Sequence, residues 1–110
     1  MEHLLELVGD DELRVCFDTA NALRVGDDVF EAARRLAPAI EIVHLKDCEA
    51  TWDDPAVGPI SVAPGDGVIP LGAVLASCPG ALVSVELGQL APDADERLLV
   101  RAYVEYLRAR

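Results

Sequence analysis

A carboxylate, an imidazole and a second carboxylate stand near the C-terminal ends of three short apolar runs in this chain. Asp18 ends the run VCFD, His44 lies within IVHLKD, and Glu86 ends LVSVE. Runs this apolar are usually strands covered on both faces, which favours a parallel sheet flanked by helices. In such α/β folds the functional residues gather at the C-terminal ends of the strands. The three side chains therefore predict one site at one end of a sheet.

Strand alternation sorts the polar side chains of these runs onto a single face. Because successive side chains point to opposite faces, the face of Asp18, His44 and Glu86 also carries Cys16, Lys46 and Ser84. The opposite face collects the apolar residues Val15, Phe17, Val43, Leu45, Val83, Val85 and Leu87, with Asp47 as the exception. Two converging carboxylates and an imidazole match Mn²⁺, Mg²⁺, Co²⁺ or Zn²⁺. A structural alternative has Asp18 capping a loop, His44 in a core, and Glu86 paired with Lys46.

The elements that must position these residues follow the order α-β-α-β-α-β-α within one domain, residues 1–110. Strands are predicted over residues 13–18, 40–46 and 81–87, and their long connections suit right-handed βαβ crossovers. A loop is predicted over residues 19–25, and a second over about residues 48–68. The second loop is rich in Pro, Gly and Asp, and connections this long are often functional. Helices are predicted over residues 1–8, from Asp27 to Pro38, from Pro70 to Ser77, and from about Pro92 to Ala109.

The composition limits the classes of protein to which this chain can belong. The 110 residues carry 20 acids and 9 bases, a formal charge of −11. Nucleic-acid binding is disfavoured, because it depends on Lys and Arg neutralising phosphates. Apolar residues make up 52% of the chain, which is high for a short charged domain. We therefore expect apolar faces that another subunit, or a missing segment, would cover.

The cysteines and the termini point to the cytoplasm. Cys16, Cys48 and Cys78 are widely spaced and form no CxxC motif, so a disulfide scaffold and a zinc knuckle are disfavoured and reduced, mostly buried thiols are expected. The N-terminus has neither the basic nor the long apolar region of a signal peptide. No run approaches the roughly 20 apolar residues of a membrane span.

The order FDTAN … VHLKD … PGDG … SVEL resembles the xylose isomerase-like TIM-barrel superfamily, and within it the sugar phosphate isomerase/epimerase group. The resemblance covers about residues 5–107 and corresponds to the C-terminal part of the barrel. It implies an α/β fold of parallel βα repeats, with three strands and flanking helices as an incomplete barrel.

The resemblance also implies a chemistry. Relatives hold a divalent ion, often Mn²⁺, with a Glu, an Asp, a His and a Glu, and by match Asp18, His44 and Glu86 would be the last three ligands. Glu86 would also be a catalytic carboxylate that moves protons next to a carbonyl of a sugar or sugar phosphate. Asn21, Lys46 and Asp66 would line the substrate site; Asn21 stands where relatives often have a histidine.

The chain also departs from the family pattern. The first glutamate ligand has no counterpart before Leu13, and three strands cannot close a barrel that needs about eight. One interpretation is a metal-dependent isomerase or epimerase that a partner chain or a homo-oligomer completes. A second is a non-catalytic truncated remnant, and a third is a small flavodoxin-like or oligomerising binding module. An endonuclease acting at abasic sites is disfavoured by the charge of −11.

Overall fold

The computed structural model describes residues 13–50 and 58–110. Three parallel strands form the main sheet in the order β1 (Val15–Asp18), β2 (Ile40–Leu45) and β5 (Leu82–Val85). Two shorter strands, β3 (Asp47–Cys48) and β4 (Ser61–Val62), form a separate antiparallel ladder. The helices of the described ranges are α1 (Thr19–Arg24), α2 (Val29–Leu36), α3 (Leu71–Ser77) and α4 (Glu96–Arg108). The predicted α/β class with three parallel strands and flanking helices is confirmed; the helix predicted over residues 1–8 lies outside the described residues.

One face of the main sheet forms the core, as the alternation of the sequence predicted. Val15, Phe17, Val43 and Leu45 are each at most 5% exposed. They pack against helix residues that include Ala20, Val29, Ala33, Leu71, Val74 and Leu75. Val83 was predicted to share this face but is 37% exposed, because in the described part of the chain β5 has a neighbouring strand only on its β2 side. The other face of the sheet carries the polar residues together with Ile42 and Leu82.

A helix replaces the loop that the sequence analysis predicted after β1. Asp18 has an extended backbone, and its carboxylate accepts a hydrogen bond from the Asn21 N–H at 2.9 Å, which is the geometry of an N-cap. The following residues, TANALR, contain Ala, Leu and Arg, which favour helix. The loop prediction for residues 19–25 was wrong because a six-residue helix is too short to show a hydrophobic period.

The remaining helices begin and end at the signals that the sequence provides. The Asp28 side chain caps α2 by accepting from the Glu31 N–H, and Pro38 lies in the short 3₁₀ turn that follows it. Pro70 precedes α3. Asp95 caps α4 by accepting from the N–H groups of Arg97 and Leu98. Capping aspartates therefore determine where α1, α2 and α4 start.

The segment predicted as a long loop over residues 48–68 is organised by β3 and β4 where it is described. Asp47 pairs with Val62, and Cys48 pairs with Ser61. Ser61 also accepts a hydrogen bond from the Gly88 N–H through its hydroxyl at 2.9 Å, and its own N–H donates to the Gln89 carbonyl at 2.7 Å. The ladder is thereby joined to the chain that leaves β5.

The sheet is open at both sides within the described residues. β1 and β5 each pair with β2 and with no other described strand, so their outer edges present unpaired backbone groups. Among the described helices, none has the length and apolar character that crossing a membrane requires.

Candidate metal centre

Strand register brings the predicted ligands to one end of the sheet. Asp18 lies beside His44, and His44 lies beside Ser84, in the two parallel ladders. Glu86 stands two residues after Ser84, just past the end of β5, so it is on the same face and one step nearer the C-terminal edge. Its backbone N–H still contacts the Leu45 carbonyl at 3.4 Å. The three side chains therefore meet where parallel α/β folds hold their functional residues.

The cluster of Asp18, His44 and Glu86 is compact. One ligand atom from each residue lies within 4.8 Å of the other two. The imidazole Nδ1 of His44 is 2.9 Å from Oε2 of Glu86 and 3.9 Å from Oδ2 of Asp18. Nδ1 is thus the ring nitrogen that faces both carboxylates. The Asp18 side chain is 12% exposed, that of His44 30% and that of Glu86 53%, so the cluster is open to a ligand from the Glu86 side.

Lys46 brings a buried cation to the cluster. Its Nζ lies 3.1 Å from Oδ2 of Asp18, and its side chain is 9% exposed. The pair balances one of the two carboxylate charges, whereas the carboxylate of Glu86 faces the imidazole of His44. The backbone of Lys46 is fixed by the buried Thr19 hydroxyl, which accepts from its N–H at 3.1 Å and donates to its carbonyl at 2.6 Å. Thr19, which directly follows Asp18, therefore ties the end of β1 to the end of β2.

Cys16 contacts the histidine from the other side of the ring. Its Sγ lies 3.3 Å from Nε2 of His44 and is exposed. The imidazole is thereby held at both nitrogens, with a thiol at Nε2 and a carboxylate at Nδ1. The sequence analysis placed Cys16 on this face but assigned it no role.

Asn21 and Asp66 lie outside the group formed by Asp18, His44 and Glu86. The backbone N–H of Asn21 donates a hydrogen bond to the Asp18 carboxylate, and Asn21 itself is exposed. Asp66 is exposed on the turn after β4 and lines a cavity of about 470 Å³ beside the start of α4. The lining of that cavity includes neither Asp18 nor His44 nor Glu86. The substrate-binding roles of both residues remain predictions.

Sequence reasoning missed the residue that builds the loop below the cluster. Asp47 is fully buried, and its carboxylate accepts hydrogen bonds from four backbone N–H groups, those of Cys48, Gly65, Gly67 and Ile69, at 2.9–3.0 Å. A buried carboxylate requires such partners. A Cβ on Gly67 would overlap the Asp47 side chain and the Cys48 carbonyl, which explains the second glycine of the Gly-Asp-Gly motif. The sequence did contain a signal for this role, because Asp47 was the one polar residue predicted on the apolar face.

Tyr103 ties α4 to this loop. Its hydroxyl accepts from the Asp47 N–H and donates to the Val62 carbonyl, both at 2.6 Å, and the residue is fully buried. Burial raises the pKa of Tyr103 to about 12. Burial, with the negative charge of Asp47 as a smaller cause, raises the pKa of the Cys48 thiol to about 11. Both groups therefore stay protonated and structural at neutral pH.

The chemistry of the donor set fits a divalent cation. Two carboxylates and an imidazole nitrogen suit hard to borderline ions from Mg²⁺ to Zn²⁺. Ligands on opposite sides of such an ion, at about 2.1 Å each, are roughly 4.2 Å apart, which is comparable to the 4.8 Å span of the three ligand atoms. Among the described residues these three form the group that could hold a metal ion.

Parallel βα units with an acidic and histidine cluster at the strand ends define this chain as part of a (βα) barrel. A family model described as xylose isomerase-like TIM barrel matches residues 1–78. Because the match spans more than half of the 110 residues, the chain belongs to the xylose isomerase-like TIM barrel family. Asp18 and His44 lie inside the matched range, and Glu86 lies beyond it. A search of curated proteins found no match.

Proposed function

We propose that this chain carries the metal-binding end of a sugar or sugar-phosphate isomerase or epimerase. Asp18, His44 and Glu86 would hold a divalent ion, with Mn²⁺ as the first choice and Mg²⁺, Co²⁺ or Zn²⁺ as alternatives. The observation that carries the proposal is the convergence of their three ligand atoms within 4.8 Å in a chain of this family. Such an ion would polarise substrate oxygen atoms and offset negative charge that develops on them.

Glu86 is proposed as the group that moves the proton. Its side chain is the most exposed of the three, and its Oε2 lies 2.9 Å from Nδ1 of the imidazole. It would accept the proton from the carbon next to a substrate carbonyl, while the C–H electron pair moves to form a C=C bond and the carbonyl oxygen becomes negative. Return of the proton to the same carbon from the other face gives an epimer, and return to the neighbouring carbon gives an isomer. A second carboxylate is required for the other face, and it is not among the described residues.

The neighbours of the cluster would position the substrate. Lys46 supplies an ammonium group within hydrogen-bond distance of Asp18, and we propose that it contacts a substrate oxygen. Asn21 follows the ligand Asp18 on the first turn of α1, where its exposed side chain would reach a substrate hydroxyl. Asp66 is proposed to contact a more distant part of the substrate from its turn.

We propose further that additional strands, supplied by a second copy or by a partner chain, pair with the edges of β1 and β5 that no other described strand occupies. The support is the exposure of β5, where Leu82 is 70% and Val83 37% exposed. An apolar strand with an open edge is a ready template for pairing. The remaining ligand, a glutamate in relatives, would come from such a strand.

A second candidate function is metal binding without turnover, in a truncated remnant or a small oligomerising α/β binding module. It is favoured because the described residues provide three metal-capable side chains, Asp18, His44 and Glu86, and only one of them, Glu86, is proposed as a base. The two candidates make different predictions for proton exchange, because a single base suffices to remove a proton from a bound sugar, whereas a site that only binds metal removes none.

Deuterium exchange tests the proposed function. The chain is incubated in D₂O with Mg²⁺ or Mn²⁺ and a set of ketoses and their phosphates, and deuterium next to the carbonyl is measured by mass spectrometry. We expect incorporation with the parent and a fall of at least about 100-fold in Glu86→Gln, since a positioned base contributes about 10²–10⁴. The control is Glu41→Gln, which neutralises an exposed carboxylate of β2. Equal exchange by the parent and Glu86→Gln would contradict the proposal.

A further inference from the structure

The two ring nitrogens of His44 have different neighbours, and this difference carries a further inference. Nδ1 faces the carboxylates of Glu86 and Asp18, at 2.9 and 3.9 Å. Nε2 faces the Cys16 thiol, at 3.3 Å. Cys16 lies in β1, in register with Ile42 of β2, so its side chain is on the face of the cluster and one step deeper in the sheet. The His44–Cys16 contact therefore joins two strands that both carry ligands.

When a neutral histidine binds a metal through one ring nitrogen, the proton must be on the other ring nitrogen. Metal binding can therefore change which nitrogen carries the proton. In a neutral ring without a metal, a proton on Nδ1 faces the carboxylates, so Nε2 has a lone pair and needs a donor. With a metal on Nδ1, the neutral ring carries its proton on Nε2, which then needs an acceptor. A fixed partner of Nε2 must therefore be able both to donate and to accept a hydrogen bond. A thiol can do both: S–H is a weak donor, and sulfur is a weak acceptor.

We propose that Cys16 is a positioning residue for His44, whose thiol holds Nε2 in both proton arrangements and so keeps Nδ1 pointed at the carboxylates. This proposal rests on the proposed metal site. It assigns to the thiol no nucleophilic role and no bond to the metal, since Sγ lies on the ring nitrogen that faces away from Asp18 and Glu86. Metal-ligating histidines generally have such a partner, usually a carboxylate or a carbonyl. Those partners accept only, whereas Cys16 also serves the metal-free ring.

The test uses nitrogen-15 NMR of the imidazole, which reports hydrogen bonding directly. The chain contains two histidines, His3 and His44, so His3→Gln in all samples leaves a single ring to observe. Long-range proton–nitrogen spectra are recorded without metal and with Zn²⁺, which is diamagnetic, and Zn²⁺ affinity is measured by calorimetry. The variants are Cys16→Ala, which removes the hydrogen bond, and Cys16→Ser, which keeps a group that donates and accepts. Urea unfolding curves establish that each variant is folded.

In the parent we expect the proton on Nδ1 without metal and on Nε2 with Zn²⁺. Cys16→Ala should move the Nε2 resonance of the metal-free ring to the position of a nitrogen without a hydrogen bond. It should also weaken Zn²⁺ binding by about 10-fold or more, which is typical for loss of a partner of a metal-bound histidine. Cys16→Ser should restore the resonance and most of the affinity.

Three results would overturn the proposal. An unchanged Nε2 resonance in Cys16→Ala would show that the thiol does not bond to the ring. An unchanged Zn²⁺ affinity in that variant would show that the bond does not position the ligand. A loss of affinity as large in Cys16→Ser as in Cys16→Ala would show that a group able to donate and accept at this position does not account for the affinity. If the parent binds no Zn²⁺, the proposed metal site fails, and the metal-free resonance still decides whether Cys16 holds the ring.

Discussion

Lys46 is the residue whose charge most directly opposes a bound cation. Its ammonium group is buried at 3.1 Å from Asp18, so it neutralises a carboxylate that a metal ion would use. The ammonium therefore satisfies Asp18 while the site has no metal. We expect it also to lower the affinity of the proposed site for a metal ion, since two cations repel strongly in a partly buried site.

Replacement of this lysine separates the two effects. Lys46→Met should lower the free energy of unfolding without metal by about 1–3 kcal/mol, because Asp18 loses a buried partner. The same variant should raise Mn²⁺ affinity roughly tenfold, because a nearby positive charge is gone. Unfolding curves and calorimetry measure the two quantities, and Arg101→Met on the exposed face of α4 is the control. A fall in Mn²⁺ affinity would contradict this account of Lys46 and show that it positions Asp18 instead.

The cluster of Asp18, His44 and Glu86 could be predicted from the sequence at the residue scale, but its neighbours could not. Asp18, His44 and Glu86 were found because strand alternation is fixed by backbone geometry and needs no knowledge of the fold. The Cys16–His44 contact depends on the register between two strands 28 residues apart in the chain, and sequence pattern does not determine that register. Asp47 was noticed only as an exception, since its partners are backbone groups from a distant loop.

At the scale of elements, one hydroxyl of the last helix makes two hydrogen bonds to the β3–β4 ladder. Tyr103 of α4 bonds to β3 and β4 at once, through the Asp47 N–H and the Val62 carbonyl. It is the residue of α4 that is fully buried. The apolar side chains Leu98, Val100 and Val104 of the same helix are 36–60% exposed. The position of α4 therefore depends on Tyr103, together with the packing of Tyr106 and Leu107 against the core.

The raised pKa of Tyr103 gives this attachment a pH dependence. Its pKa is 10 when unfolded and about 12 in the structure, so its contribution to stability is complete below pH 10. The contribution is lost as the pH rises through about 12, and it amounts to roughly 2–3 kcal/mol. Tyr103→Phe should therefore be less stable than the parent at pH 8, and the difference should shrink between pH 10 and 12. Urea unfolding of both chains measures this.

The matched control for that experiment is Tyr106→Phe, in the same helix but only partly buried. A stability difference between parent and Tyr103→Phe that stays constant from pH 8 to pH 12 would contradict the role given to the hydroxyl. If the stability difference between the parent and Tyr106→Phe also shrinks between pH 10 and 12, the effect belongs to tyrosine ionisation in general.

Elements were predictable where local signals existed. The three strands and the capped helices α2 and α4 follow from apolar runs and from aspartates at their starts. Helix α1 was predicted as a loop, because its six residues are stabilised by Asp18, which the sequence presents as a ligand. The β3–β4 ladder was not predicted, since strands of two residues have no pattern of their own and depend on tertiary hydrogen bonds.

At the scale of the whole molecule, the open edge of β5 predicts association. Light scattering of the chain should give at least twice the monomer mass of 11.8 kDa if a second copy covers that edge. Val83→Lys should shift the chain toward the monomer, because a charge on an edge strand disfavours pairing. Val25→Lys is the control, since Val25 is 73% exposed and lies after α1, outside the sheet. A monomeric parent that unfolds cooperatively would rule out the homo-oligomer and leave a partner chain as the proposal.

The central claim is that Asp18, His44 and Glu86 form a metal site, and thermal unfolding with and without Mn²⁺ tests it most directly. An ion that binds the folded chain at 100 times its dissociation constant adds about 2.7 kcal/mol of stability. We expect the parent and Glu41→Gln to gain several degrees in melting temperature with saturating Mn²⁺. Asp18→Asn and Glu86→Gln should lose most of that gain. A gain of equal size in all four chains, or none in the parent, would contradict the claim.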